Sequence, residues 1–207
     1  AAIWAAIQTQ PEKRHLVTTR VEHPAVLNVM QYWERQGYHV TYLSVDAKGR
    51  LDLDEYAAAL TPDTALVSVM FANNEVGNIY PVQRLAEMAK ERGLLFHTDA
   101  VQAVGKTPID MAHLPVDMLS LSGHKLHAPK GIGVLYVRKG VRFRPFLRGG
   151  HQENGRRAGT ENVPYIVGLG VAAQLAATHM EEERVSVALL RDRLEQGLLA
   201  VIPECMV

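Results

Sequence analysis

The chain has 207 residues, of which 47% are hydrophobic and 21% are charged, a composition typical of a folded globular protein rather than a disordered one. Lysine plus arginine and aspartate plus glutamate number 22 each, so the formal net charge is zero and no overall basic field is available for nucleic acid or an anionic membrane. The single cysteine, Cys205, excludes an internal disulfide and a cysteine-rich metal site, which is consistent with the reducing environment of the cytoplasm.

Both ends of the sequence fall inside patterns typical of secondary structure. Residues 1–7 are apolar and helix-like and contain no initiating Met, whereas residues 205–207 resemble the start of a strand. No apolar run approaches the ~20 residues that a membrane helix needs, and no signal peptide opens the chain. We therefore expect a piece of a longer protein that has no membrane partner.

Apolar segments alternate between strand-like and helix-like patterns along the first two thirds of the chain. In chain order the predicted elements are strand 16–21, helix 24–37, strand 38–45, helix 52–60, strand 64–71, helix 81–93, and strands 94–97, 116–121 and 132–137. The strands are nearly continuous in apolar residues, which is typical of strands buried on both faces. The pattern predicts an α/β fold, with a mostly parallel sheet covered by helices on both faces.

The last quarter of the chain is predicted to be helical. A helix rich in small residues runs from about residue 163 to 180, and a second helix carries Val187, Leu190, Leu194 and Leu198 on one side. The charged run 181–184 separates them. We therefore predict a large domain over residues 1–180 and the beginning of a small C-terminal α+β domain over residues 181–207.

Polar side chains follow four of the predicted strands, at the point where each strand ends. They are His23, then Asn73, Asn74 and Glu75, then Asp99 and Gln102, and finally Ser122, His124 and Lys125. Any one of these groups is explained equally well by turn and helix-cap preferences. Four groups in series favour a ligand site, because the carboxyl ends of parallel strands meet at one edge of an α/β sheet.

Lys125 is the most informative of these residues. It lies between an apolar strand and a loop that contains Pro129 and Gly131, and we expect it to be partly desolvated there. Desolvation lowers the pKa of an amine and makes it available for a Schiff base with pyridoxal phosphate (PLP). PLP also needs an acid at its pyridinium nitrogen, and Asp99 suits that role. On spacing alone, a solvated loop lysine remains an equal alternative.

A metal site is the weaker interpretation of the same region. His97, Asp99 and His124 could approach one ion, but the helical histidine pairs typical of metal-dependent hydrolases are missing from the sequence. We therefore expect no metal ligands in this chain.

Five motifs in order resemble those of the NifS-like cysteine desulfurases, which are class V aminotransferase-like, fold-type I PLP enzymes. The motifs are VEHPAV at 21–26, NNEVG at 73–77, HTDAVQAVGK at 97–106, SGHKLHAPKG at 122–131 and RAGTEN at 157–162. The likeness covers essentially the whole chain, and it makes residues 1–180 the PLP-binding domain.

The resemblance implies a role for each residue around the PLP ring. Lys125 holds PLP covalently and then moves protons, and Asp99 pairs with the pyridinium nitrogen. Gln102 donates a hydrogen bond to the phenolic oxygen of the ring, and His23 stacks on the ring and helps to move protons. Asn74 lies near the cofactor and the substrate carboxylate.

The same resemblance assigns the phosphate group to Ser122 and His124, with Thr160 reaching the phosphate of a neighbouring subunit in a homodimer. The family's phosphate loop would precede residue 1. Its catalytic cysteine and the arginine that binds the substrate carboxylate would follow residue 207. Cys205 is therefore expected to be a buried structural thiol rather than the nucleophile.

The implied activity is a transferase reaction in the cytoplasm: sulfur is removed from L-cysteine, leaving L-alanine and an enzyme-bound persulfide. An iron–sulfur scaffold or another acceptor protein would take the sulfur for cluster assembly. The 207 residues alone are expected to be inactive. The alternatives are a selenocysteine lyase, another fold-type I PLP lyase, or a partner-binding domain that has kept the fold without the chemistry.

Overall fold

A single six-stranded sheet organises the computed structural model, which describes residues 1–205. The helices and strands in chain order are α1 (Ala2–Thr9), β1 (His15–Thr19), α2 (Pro24–Arg35), β2 (His39–Leu43), α3 (Leu53–Ala59), β3 (Thr64–Ser68), α4 (Val82–Glu91), β4 (Phe96–Asp99), β5 (Met118–Ser122), β6 (Gly133–Val137), α5 (Gln152–Gly155) and α6 (Val163–Val201). A 3-10 turn (Gly123–Leu126) directly follows β5.

The strand order is β2-β1-β3-β4-β5-β6. The first five strands are parallel to their neighbours, and β6 runs antiparallel to β5. The structure therefore confirms the predicted α/β fold with a mostly parallel sheet. Because the strands are parallel, β1, β3, β4 and β5 all end at the same edge of the sheet.

The two faces of the sheet carry separate hydrophobic clusters. Successive side chains of a strand point to opposite faces, so Leu66 belongs to one cluster and Val67 to the other. Helices α1 and α2 cover the Leu66 face with residues such as Ile7 and Met30, and α3 and α4 cover the opposite face. Each fully buried aliphatic or aromatic side chain contributes about 1.5–3 kcal/mol through burial, which fixes the sheet as a rigid base for the residues at its edge.

Several predicted boundaries shift in the structure. The strand predicted over 94–97 is β4, Phe96–Asp99, because the backbone N–H of Leu94 still donates to the carbonyl of Ala89 at the end of α4. Pairing of β4 with β3 begins at Phe96, whose N–H also donates to the Asp117 carboxylate at 2.8 Å. These are tertiary contacts that a local sequence pattern does not contain.

The predicted break between two C-terminal helices was wrong, because α6 is continuous from Val163 to Val201. The charged run at 181–184 contains no glycine or proline, and Arg184 donates to Glu181 within the helix at 2.8 and 3.1 Å. The domain boundary placed at residue 181 stays a prediction. Cys205 lies after the helix and is half-buried, while Met206 and Val207, the rest of the predicted strand start, lie outside the described residues.

Helix α6 is long and apolar enough to cross a membrane by length and composition alone, with a mean hydropathy of 1.3 over its most apolar window. The sequence pattern did not predict this. Within the described chain, Leu169 and Ala172 of α6 pack on Leu126 and Ala128, so this part of the helix is bound to the sheet through the 3-10 turn. The contact matters for the site, because the same turn carries Lys125.

Candidate active site

A cavity of about 490 Å³ lies at the carboxyl ends of the parallel strands. Its polar lining consists of side chains from all four groups that the sequence singled out: His23, Asn74, Glu75, Asp99, Gln102, Ser122, His124 and Lys125. Seven of the eight residues to which the resemblance assigns a role therefore line this cavity, together with Glu75, to which it assigns none. Thr160 is the exception: it is exposed and is not among the residues that line this cavity.

Lys125 is positioned by the short turn that ends β5. The N–H of Gly123 donates to the carbonyl of Ile132, and the N–H of Ala128 closes the turn on the carbonyl of Gly123, at 2.9 and 3.0 Å. The next residue, Leu126, is buried against α6. The expected partial desolvation of Lys125 was wrong: the side chain is exposed, and it is one of the residues that line the cavity.

Asp99 is the last residue of β4 and is half-buried. One of its oxygens accepts a hydrogen bond from the Val101 N–H at 3.0 Å. Burial raises the pKa of Asp99, and the Val101 N–H and nearby His23 partly offset this by favouring the charged form. A carboxylate in this setting gains from a cationic ligand, since a positive charge would compensate its lost solvation.

Gln102 is oriented by a lysine that the sequence interpretation missed. The Lys106 amine donates to the Oε1 atom of Gln102 at 3.2 Å, so the amide Nε2 is the end of Gln102 that can donate to a ligand. Burial and the charge of Lys125 lower the pKa of Lys106, which indicates that the two amines are close. Lys106 closes the motif at 97–106, but only the structure shows that it faces Gln102.

His23 serves two functions in the structure. As the N-cap of α2, its Nδ1 accepts from the Ala25 N–H at 3.1 Å, so in the neutral ring the proton is on Nε2. The exposed ring also lines the cavity.

Asn74, from the segment after β3, is half-buried and donates to Glu75 at 2.8 Å.

Ser122 and His124 form a hydrogen-bonded pair at the start of the 3-10 turn. The Ser122 Oγ and the His124 Nδ1 are 2.7 Å apart, and both side chains line the cavity. Whichever of the two donates within the pair, the other keeps an O–H or N–H that can be donated to an anion. They lie on the same strand end as Lys125, which allows one ligand to contact all three.

A buried hydrogen-bond chain holds the strand ends in line beneath the cavity. His97, two residues before Asp99, bonds the Ser68 hydroxyl of β3 and the Ser120 hydroxyl of β5 through its two ring nitrogens, each at 2.9 Å. Burial lowers the pKa of His97 to about 3, so the ring is neutral. The chain fixes β4 between its neighbours, and with it the position of Asp99.

These side chains fit PLP. An amine, a carboxylate at a neighbouring strand end, an amide that donates, and a hydroxyl–imidazole pair suited to an anion line one cavity of adequate size. Within residues 1–205, no group of three or more His, Cys, Asp or Glu residues could hold a metal ion. Fold and site together define the class: an α/β protein of the PLP-dependent type.

Comparison with known proteins agrees with this class. The family model for aminotransferase class-V matches residues 1–207, and the chain belongs to this family. A cysteine desulfurase of Nostoc sp. is 64% identical over all 207 residues, and the cysteine desulfurase NifS of Azotobacter vinelandii is 59% identical over 206. The chain covers 52% and 51% of these two proteins, so it spans about half the length of the curated relatives it matches.

Solved structures show the same fold. A NifS-like protein superposes with a TM-score of 0.93 at 42% identity, over 96% of this chain and 55% of its own. SspA in complex with cysteine superposes with a TM-score of 0.80 at 43% identity, over 84% of this chain and 51% of its own. The fold predicted from the resemblance is therefore confirmed, and the relatives are cysteine desulfurases.

Proposed function

We propose that this chain is the cofactor-binding part of a PLP-dependent cysteine desulfurase, a transferase that takes sulfur from L-cysteine and leaves L-alanine. One observation carries the proposal: Lys125, Asp99, Gln102 and His23, from three segments of the chain, line a single cavity at the strand ends. Relatives named cysteine desulfurase at 54–64% identity support the choice of reaction.

PLP, when bound, supplies an electron sink for the electron pair left on the substrate carbon after bond cleavage. Lys125 would hold the cofactor through its Nζ atom, and the same amine would accept and return protons during the reaction. Asp99 would accept a hydrogen bond from the ring nitrogen and favour its protonated form.

The remaining side chains orient the cofactor and substrate. Gln102 donates from its Nε2 to the phenolic oxygen, and the His23 ring stacks on the cofactor ring. Asn74 contacts the cofactor and the substrate carboxylate. Ser122 and His124 donate to the phosphate group.

The full protein, in this proposal, is a cytoplasmic homodimer. Thr160 reaches the phosphate in the neighbouring subunit, which explains why it stands apart from the cavity of its own chain. The sulfur leaves as a persulfide on a cysteine thiolate and passes to an iron–sulfur scaffold or another acceptor protein.

Covalent labelling tests the proposal. The protein is incubated with PLP, reduced with borohydride and digested, and the modified peptide is identified by mass spectrometry. We expect the cofactor on the peptide that contains Lys125, with the modification lost in Lys125→Ala. The matched control is Lys130→Ala, an exposed lysine of the same loop, which should label like the wild type. Equal labelling of Lys125→Ala and the wild type would contradict the proposal.

A further inference from the structure

A buried carboxyl group lies beneath the cavity and is not explained by the proposed chemistry. Glu22, immediately before His23, is only 4% exposed. Its Oε1 accepts from the Met70 N–H at 2.7 Å and from the Thr19 hydroxyl at 3.0 Å. Its Oε2 is buried without a hydrogen-bond partner, and no lysine, arginine or histidine in residues 1–205 forms an ion pair with it.

The surroundings of Glu22 disfavour a negative charge. A carboxylate taken out of water needs a cation or a full set of donors, and one of the two oxygens has neither. The titratable groups that interact electrostatically with it are Asp99 at the end of β4 and Tyr80 before α4, and His23 is its neighbour in the chain. Burial raises the pKa of Glu22 to about 8, with a further contribution from Asp99, against the lowering effect of its two hydrogen bonds.

Glu22 also connects two walls of the cavity. Its bond to the Met70 N–H links the segment after β1 to the segment after β3. A second link lies beside it, since the Asn73 amide donates to the Val21 carbonyl at 3.0 Å. The first segment carries His23 and the second carries Asn74, so the distance between these walls depends on Glu22.

We propose that Glu22 is a positioning residue that acts as a neutral acid: it ties the His23 segment to the Asn74 segment and leaves Asp99 as the negative charge of the site. The inference rests on the proposed function only for the identity of the ligand. A buried carboxyl and a neighbouring half-buried one resist ionising together, so the proton goes to the buried one, Glu22. A charged Glu22 would instead compete with Asp99 for the cationic end of the ligand.

The first test compares PLP affinity among Glu22 variants. Glu22→Gln keeps the acceptor oxygen and the neutral charge, so we expect PLP binding close to that of the wild type. Glu22→Ala removes the link to Met70, and we expect binding to weaken about 10-fold. Glu12→Gln, an exposed glutamate, is the matched control. If Glu22→Ala binds PLP like the wild type, or if Glu22→Gln is as weak as Glu22→Ala, the proposal is wrong.

The second test needs only the wild-type protein without cofactor, so it decides even where a variant does not fold. Carbon-13 NMR of glutamate-labelled protein reports the charge of each side-chain carboxyl. We expect one glutamate to remain protonated at pH 7 and to titrate near pH 8, as burial raises the pKa of Glu22 to about 8. A spectrum in which every glutamate is ionised at pH 7 would overturn the proposal. Failure here leaves the labelling of Lys125 untouched, so the two proposals fail separately.

Discussion

Single residues set the electrostatics of this site, and His97 shows how. Its ring is 3% exposed and bonds two hydroxyls across three strands, so it carries no charge in the folded protein. Glu22 is the complementary case, an acid that burial also holds neutral. The polar groups that remain for a ligand are those at the mouth of the cavity, where Lys125 is exposed and Asp99 is half-buried.

We predict that His97 makes the fold sensitive to acid. Burial lowers the pKa of His97 from 6.5 to about 3, so the folded state binds fewer protons than the unfolded state between these values. The stability contribution is complete above pH 6.5 and is lost as pH falls towards 3, on the order of 5 kcal/mol in total. Denaturant unfolding at several pH values should show that the free energy of unfolding falls less on acidification in His97→Asn than in the wild type.

The matched control is His113→Asn, since His113 is exposed beside Asp110. An identical loss of unfolding free energy on acidification in the wild type and in His97→Asn would show that the buried ring is not responsible.

Glu22 acts in the opposite direction, because its pKa is raised. Its contribution to the free energy of unfolding is complete below pH 4.5 and is lost as pH rises through about 8. Comparing His97→Asn with the wild type at each pH separates the contribution of His97 from that of Glu22, because Glu22 is present in both proteins.

The sequence identified most of these residues but not their environments. Asn, Asp, Gln, Ser and His residues after apolar strands are visible in a one-dimensional pattern, and parallel strands must bring them together. Whether Lys125 is exposed depends on how the 3-10 turn packs on α6, about 40 residues further along the chain. A local sequence pattern does not contain this contact, so it could not show whether Lys125 is buried. Glu22 and Lys106 were missed because their partners, Met70 and Gln102, are known only once the chain is folded.

At the scale of elements, the 3-10 turn after β5 depends on close packing from two sides. Leu126 and Ala128 meet Leu169 and Ala172 of α6 on one side. On the other, Gly105 has a φ of +77°, and a Cβ placed there would lie 2.5 Å from the Leu126 Cδ2. A larger residue at 105 therefore forces the Leu126 side chain, which packs between the turn and α6, to move.

We predict that Gly105→Ala displaces the turn and weakens both the fold and PLP binding. Positive φ costs an alanine about 1–2 kcal/mol, and the clash with Leu126 adds about 1–3 kcal/mol of overpacking. Thermal unfolding and PLP titration measure the two effects. Gly93→Ala is the control, with a φ of +67° and nothing within 4 Å of the added Cβ. If Gly105→Ala loses no more stability than Gly93→Ala, Leu126 does not limit the turn.

Element type was predictable, and element boundaries were less so. Apolar runs located every strand of the sheet, although β4 itself contains the polar residues His97, Thr98 and Asp99 and β6 is partly exposed. The helix break predicted at the charged run 181–184 failed for a physical reason: glutamate and arginine are good helix formers and pair three residues apart. A run of charges marks a solvated surface, and it interrupts a helix only when glycine or proline accompanies it.

At the scale of the whole molecule, the packing of α6 is uneven. Leu169 and Ala172 are its buried residues, both near the beginning of the helix. Further along, Val187, Leu190 and Leu194 are each more than 60% exposed. An isolated helical segment is marginally stable in water, and tertiary contacts supply most of the stability of a helix.

We predict a gradient of amide protection along α6 in this chain. Hydrogen exchange followed by mass spectrometry should show slow exchange around residues 166–176, where the helix packs on the 3-10 turn, and fast exchange beyond residue 184. Uniform protection along the whole helix would contradict the dependence on packing.

The class of protein was also predictable at this scale, because five motifs in order identify a family even where each motif alone is weak. The family match over residues 1–207 confirms that inference. The proposed homodimer and sulfur acceptor stay predictions, since they concern contacts with other chains.

Nitrogen-15 NMR of PLP labelled at its pyridine nitrogen tests whether Lys125 and Asp99 act on the same cofactor ring. With cofactor attached at Lys125, we expect a protonated ring nitrogen in the wild type and an unprotonated one in Asp99→Asn, because asparagine cannot stabilise the positive charge. The same nitrogen signal in both proteins, with Lys125 labelled in each, would contradict the claim.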